Sequence, residues 1–191
     1  MRLFLPLIML LAPLHMPGAP ASCEAYFSET DQLATRLMEY IDHEKSSIKM
    51  AIYSITHREI ATALVRAKER GVEVEVLIDP FSVKRHASIN ALLKGKVPLF
   101  VWDHKLSRTQ GARKGGHPLM HDKFCIFGRH LVWTGSLNFT YASTTSHREN
   151  AVAIGSLEIA GKYLDRFAHM KLYESRPYQE YLAYYPKKGK K

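Results

Sequence analysis

Cysteine is scarce in this 191-residue chain: Cys23 and Cys125 are the only two. That is too few for a disulfide-stapled scaffold or a cysteine-ligated zinc module. The glycine-rich nucleotide signatures are missing as well. No GxGxxG follows the first strand pattern and no GxxxxGK[ST] occurs anywhere, which excludes the dinucleotide and P-loop chemistries those motifs carry. No internal repeat is present, so solenoids and propellers are excluded. Beyond the first two dozen residues no stretch is apolar enough to cross a bilayer. Acidic residues are the minority, 18 against 27 Lys and Arg, for a formal net charge of +9. Such a balance predisposes a domain towards phosphate-rich partners, nucleic acid or anionic phospholipid, and composition does not separate the two.

Residues 3–14 are apolar behind one positive charge at Arg2, and Ala19-Pro20-Ala21 has the small-x-small form of a cleavage site. The pattern predicts a signal peptide over residues 1–21 and an exported protein, periplasmic or secreted. Pro6, Pro13 and Pro17 interrupt the apolar run, which is shorter than the roughly 20 residues a span requires. Membrane association through an uncleaved N-terminus, or one lipidated at Cys23, stays open. Losing Arg2 with the leader lowers the formal charge by one, from +9 to +8. In an exported protein Cys23 and Cys125 can pair. Cys125 also reads as core packing, because it lies in Phe124-Cys125-Ile126-Phe127. The rest divides into one folded domain, residues 22–175, and a basic Tyr- and Lys-rich tail, residues 176–191.

Within the domain, helix and strand periods alternate. Leu33, Leu37, Tyr40 and Ile41 share one helical face, after a short extended piece at residues 24–27. Residues 47–55 read as a buried strand. Ile60, Leu64 and Ala67 mark a second helix, stopped by Gly71. Val72, Val74, Val76 and Ile78 alternate along a strand that ends in a turn at Asp79-Pro80, although strand ends are also where α/β sheets bind ligands. A third helix at 86–93 and a strand at 97–102 follow. Residues 103–120 form a polar loop carrying Lys105, Arg108, Arg113 and Lys114. Strands flank Gly128-Arg129, a turn falls at Gly135-Ser136, a strand at 150–154 follows, and Ile159, Tyr163, Phe167 and Met170 line a last helix. The expected architecture is α/β: a central mixed, mostly parallel sheet flanked by helices on both faces.

The chemistry gathers around His121-Asp122-Lys123. In extended chain, residues i and i+2 share a face, so His121 and Lys123 project together and Asp122 points away. They present a titratable nitrogen beside a fixed cation. Gly135-Ser136-Leu137-Asn138 adds backbone amides, a hydroxyl and a carboxamide, all groups able to bind phosphate oxygens. Glu149 is a candidate partner for one imidazole nitrogen. His117, His121 and His130 invite a zinc reading, but no carboxylate or thiol accompanies them at ligand spacing, and no cofactor is implied. Ser136 lacks the GxSxG elbow of a hydrolase nucleophile.

His121-x-Lys123 followed by Gly135-Ser136-x-Asn138 resembles the HxKx4Dx6GSxN signature of the phospholipase D superfamily. The resemblance runs from about residue 24 to residue 167 and is closest to the small single-motif bacterial endonucleases. It includes Tyr53-Ser54-Ile55, Arg70-Gly71-Val72 and Arg148-Glu149-Asn150-Ala151-Val152. Where the signature has Asp, this chain has Gly128, and the family places that Asp in a structural role away from the reacting phosphate.

The resemblance implies a phosphodiesterase with no metal or cofactor, working through a phosphohistidine at His121. Lys123, Asn138 and Glu149 complete the catalytic set. Gly135, Ser136, Lys105, Arg108, Arg113 and Lys114 are the candidate phosphate contacts. A single-motif chain supplies one histidine where two are needed, so the resemblance further implies a homodimer with a shared active site. The expected substrate is DNA, with RNA as a further polymer. A phospholipase D acting on phosphatidyl headgroups or cardiolipin is the alternative, and an inactive nucleic-acid- or membrane-binding module, suggested by Gly128, is the third.

Overall fold

The computed structural model describes residues 22–83, 86–107 and 118–185. The expected leader, Arg108, Arg113, Lys114, His117 and the terminal lysines lie outside them. Elements follow the order β1 (Ser22–Phe27), α1 (Leu33–His43), β2 (Ser47–Ile52), α2 (Arg58–Glu69), β3 (Glu73–Ile78), α3 (Pro80–Val83), α4 (His86–Lys94) and β4 (Leu99–Trp102). After these come β5 (Lys123–Phe127), β6 (Leu131–Gly135), α5 (Tyr141–Thr145), β7 (Asn150–Gly155), α6 (Leu157–Tyr173), β8 (Ser175–Pro177) and α7 (Tyr178–Tyr184).

Eight strands form one sheet in the order β1-β7-β6-β5-β2-β3-β4-β8. It is mixed, as expected, and helices cover both faces. Ile48, Met50, Ile52, Val74, Val76 and Ile78 meet α1, α2 and α4 on one face, while Ala51, Leu77, Phe124 and Ile126 meet α6 on the other. The expectation of mostly parallel pairing needs correction. Only β2–β3 and β3–β4 are parallel, and the other ladders are antiparallel. Helical crossovers stop at β4, and the short turn between β5 and β6 permits only antiparallel neighbours.

Leu33, Leu37 and Ile41 seat α1 with essentially no exposure, and α2 ends where Gly71 takes φ +92°, a left-handed cap that glycine adopts without steric penalty. Glu73 and Glu75, which alternate with the apolar residues of β3, are neutralised by Lys49, 3.0 Å from Glu75, and by Lys171, 2.7 Å from it. Cys23 pairs with Ile154 in β1–β7 and Cys125 with Trp133 in β5–β6. Three strand spacings separate them, about 14 Å, too far for a disulfide. Cys125 is fully buried, and burial raises its thiol well above the ordinary value, so it serves as core packing.

The residues assigned to a tail from 176 onward fold onto the domain as far as Tyr185. Here β8 extends the sheet beside β4 and Tyr178 joins the core. Asp103 explains the attachment. Its carboxylate has no exposure and accepts from Arg176 Nε at 2.6 Å, Tyr185 Oη at 2.8 Å and the Lys105 amide at 3.0 Å. A buried carboxylate requires such partners, and two of them come from the segment expected as a basic tail.

Candidate active site

The C-terminal ends of β2 and β3 lie at the edge of the sheet where β5 begins, since Ile52 is level with both Ile78 and Lys123. Gly135, at the end of β6, is level with Ala151 near the start of β7. The elements carrying the motif therefore converge on one rim, the usual location of a site in a sheet with parallel strands.

His121 stands just ahead of β5. Lys123 Nζ lies 3.2 Å from each of its ring nitrogens and donates to its carbonyl at 2.9 Å. Asp122 turns away towards Arg166, 3.9 Å distant, and its carbonyl accepts from the Tyr53 amide at 3.0 Å. The Tyr53 ring supports the pair, its centroid 4.7 Å from that of His121 and 5.5 Å from Lys123 Nζ. Lys123 is buried. Burial lowers its ammonium from the ordinary value, against the opposing charges of Glu149 and Asp122. The arrangement is a desolvated cation held against an exposed imidazole.

The Gly-Ser-x-Asn turn is fastened to the same frame. Phe139 donates to Ser54 O at 3.0 Å and accepts from the Thr56 and His57 amides at 2.8 and 2.9 Å. A β-carbon at Gly135 would collide with Asn150 O and lie 2.8 Å from Ala151 Cα, so the approach of β7 demands glycine there. Ser136 donates its amide to Asn150 O at 3.1 Å and its hydroxyl to Glu149 Oε2 at 2.5 Å. Asn138 Oδ1 is buried and has no hydrogen-bond partner among the described residues.

Several expected roles are redistributed. Within one chain Glu149 holds Ser136 and stands 3.8 Å from His147 Nδ1, and it forms no bond or ion pair with His121. It acts on the site through the Ser136 turn and through its charge on Lys123. The Ser136 hydroxyl proton and backbone N–H are both engaged, with Glu149 and Asn150. Lys105 stands over the end of α7, its ammonium 5.3 and 5.0 Å from the Tyr184 and Tyr185 ring centroids. His130 occupies the β5–β6 turn at the opposite end of β5 from His121, about 20 Å along extended chain, so the two histidines do not converge on a metal.

Gly128 lies in that same distant turn, with φ +57° and its amide 2.8 Å from Ser47 O. A β-carbon there would stand 3.1 Å from Ser46 Oγ. The adjoining α1–β2 loop is held from within by Glu44, whose Oε1 accepts from the amides of Lys45, Ser46 and Ser47 and from the Ser46 hydroxyl at 2.6 to 3.3 Å. Burial pushes the Glu44 carboxyl up, but these donors outweigh it and leave it below the ordinary value. The substitution of the motif Asp thus removes no group from the rim.

A cavity of about 1070 Å³ opens beside His121 on the α6 side, lined by Trp102, Leu119, Met120, Arg166, His169 and Tyr173 among others. Sequence reasoning missed it because Arg166, His169 and Tyr173 come from the second half of α6, far along the chain from the motif.

Residues 37–171 match the family model described as "Cardiolipin synthase, PLD-like domain". A phospholipase D of Rickettsia felis is 33% identical over 132 residues, covering 69% of this chain and 60% of that protein. The mitochondrial cardiolipin hydrolase of Mus musculus is 24% identical over 152 residues, 80% of this chain and 64% of that one. The chain therefore spans about three fifths of the length of these relatives. Nuc from Salmonella typhimurium, a phospholipase D family member, superimposes with a TM-score of 0.70 at 32% identity, covering 83% of this chain and 99% of that one. NucT from Helicobacter pylori has the same fold, with a TM-score of 0.73 at 23% identity, covering 83% of this chain and 100% of that one. The motif on the rim, the family match over most of the chain and the likeness to Nuc lead to one conclusion: this chain belongs to the phospholipase D superfamily.

Proposed function

We propose that the chain is a metal-independent phosphodiesterase, and specifically an endonuclease that cleaves DNA, with RNA as a further polymer. The observation that carries this reading is the His121–Lys123 pair: an exposed imidazole against a buried ammonium, at the mouth of an open cavity, in a chain of net charge +9. An imidazole nitrogen of His121 attacks phosphorus and the P–O bond to the leaving oxygen breaks, giving a phosphohistidine. A second imidazole protonates the leaving oxygen, then takes a proton from the water that cleaves the P–N bond. Lys123 stabilises the charge on the phosphoryl oxygens. One chain supplies one His-x-Lys motif, so two-fold pairing brings both His121 side chains to one shared site through an isologous interface.

Purified protein in EDTA is expected to nick plasmid DNA. Incubating it in parallel with vesicles containing phosphatidylglycerol and cardiolipin measures headgroup release. Loss of DNA cleavage on chelation, restored by a divalent ion, would overturn the mechanism. Headgroup release without DNA cleavage would replace the substrate. That second reading, a phospholipase D, draws on the apolar part of the cavity lining, Leu106, Leu119 and Trp102, and on the relatives named phospholipase D.

Salt dependence tests the basic loop. Replacing Arg108, Arg113 and Lys114 by Gln should reduce the slope of log K against log salt by up to about 3, roughly one for each phosphate no longer neutralised. Adding Lys105→Gln should change it no further, since that ammonium rests on Tyr184 and Tyr185. An unchanged slope in the triple variant moves the DNA path away from this loop.

A further inference from the structure

Asp79 is a buried carboxylate that the mechanism above leaves unused. It directly follows β3 with 2% exposure, in a position whose sequence context reads as a turn. Its Oδ1 accepts from the Phe81 amide in α3 at 2.8 Å, and its Oδ2 accepts from the Met120 amide at 2.9 Å. The second bond crosses 41 residues of chain to the position immediately before His121.

The location of that bond matters. The β2–β5 ladder ends at Ile52–Lys123, and the Tyr53 amide holds the carbonyl of Asp122. Upstream of these points no ladder fixes the backbone that carries His121. Among the described residues, the Met120 amide is the anchor there, and Asp79 is what it is anchored to. Met120 is itself buried at 3% exposure, so the anchor is closed to water.

We infer that Asp79 is the positioning residue of the nucleophile: through the Met120 amide it fixes the backbone entering His121 and so aims the imidazole at phosphorus. The inference rests on the reading of His121 as nucleophile and adds the group that orients it. Within one chain that group is not Glu149, which is engaged with Ser136.

The choice of a carboxylate for this task has a physical reason. Burying a charge is unfavourable unless it is partnered, and a turn alone could be closed by a neutral side chain. Burial raises the Asp79 carboxyl from its ordinary value, and the Phe81 amide, the Met120 amide and the charge of His121 oppose that rise. The groups facing it are His121 at the entry to β5 and Tyr181 from α7. The imidazole becomes cationic when phosphorylated or protonated, and a buried negative charge nearby favours those states over neutral imidazole.

The test uses the full chain and a small chromogenic diester, bis(p-nitrophenyl) phosphate, so that no polymer contact enters. In Asp79→Asn one carboxyl oxygen is replaced by an amide NH2, which cannot accept from a backbone N–H. The expected result is a kcat lowered on the order of 100-fold, the scale of a misplaced reacting group, with KM within about threefold and the folded fraction unchanged at the assay temperature. A merely structural turn residue would lower the melting temperature and leave kcat of the folded protein alone. A kcat within threefold of wild type in folded Asp79→Asn would therefore overturn the inference. If Asp79→Asn does not fold, Asp79→Glu replaces it. This variant keeps both acceptor oxygens but displaces them by a methylene, and normal turnover in it overturns the inference equally. His121→Ala on the same diester separates the two claims: retained turnover there removes the nucleophile reading itself. A wild type that cleaves the diester but not DNA removes only the polymer substrate.

Discussion

Replacing His121 by Ala or Asn is expected to lower turnover to below about a hundredth of wild type, the smallest factor a positioned proton-transfer group ordinarily contributes, while folding and DNA binding persist. The side chain is exposed and lies tilted against the Tyr53 ring, so its truncation opens no cavity in either core cluster. The cations proposed to hold DNA are untouched. Lys123→Ala should behave differently. Its ammonium is buried, donates to the His121 carbonyl and lies over the Tyr53 ring. Its loss should weaken binding and turnover together, because the same charge meets the phosphate in the ground state and in the transition state. Single-turnover rates with an end-labelled oligonucleotide, alongside equilibrium binding, separate the two patterns. If His121→Ala keeps more than a hundredth of the activity, another group is the nucleophile.

The parts of this site that sequence made legible are those whose chemistry is local. Extended geometry alone put His121 and Lys123 side by side and turned Asp122 away, because an i, i+2 pair is fixed by the backbone. The helix faces of α1 and α2 were legible for the same reason, their periods being satisfied by Leu33, Leu37 and Ile41 and by Ile60 and Leu64, all buried. What sequence could not reveal were bonds across long separations. Asp79 reads as the end of a strand and acts at Met120. Glu149 reads as a histidine partner and holds Ser136. The residues after 175 read as a basic Tyr- and Lys-rich tail, yet Arg176 and Tyr185 satisfy Asp103. In each case a buried carboxylate or a short polar contact decides the outcome, and its partner lies 13 to 82 residues away where no periodicity points. The parallel bias of the expected sheet failed similarly: alternation with helices holds only through β4, and the sheet then turns to hairpins.

The remaining prediction concerns assembly. The proposed reaction needs one imidazole bonded to phosphorus and another to carry the proton, and one chain places a single His121 at the rim. A chain held monomeric is therefore expected to be inert. Mixing wild-type chains with His121→Ala chains, after unfolding and refolding together, should lower activity faster than the wild-type fraction falls. A mixed pair holds one imidazole and lacks either nucleophile or acid, so under random pairing activity follows the square of the wild-type fraction. With wild type at one tenth of the chains, about one hundredth of the activity should remain rather than one tenth. Sedimentation of the mixtures verifies that both chains enter the same assemblies. A linear fall, or full activity from a chain shown to be monomeric, would mean that the second proton-transfer group comes from the same chain. Of the histidines near the motif, His130 is turned to the far end of β5, whereas His147 stands 3.8 Å from Glu149, whose other oxygen holds the Ser136 turn. His147→Ala would then be the variant to make first, since its geometry already connects it to the motif.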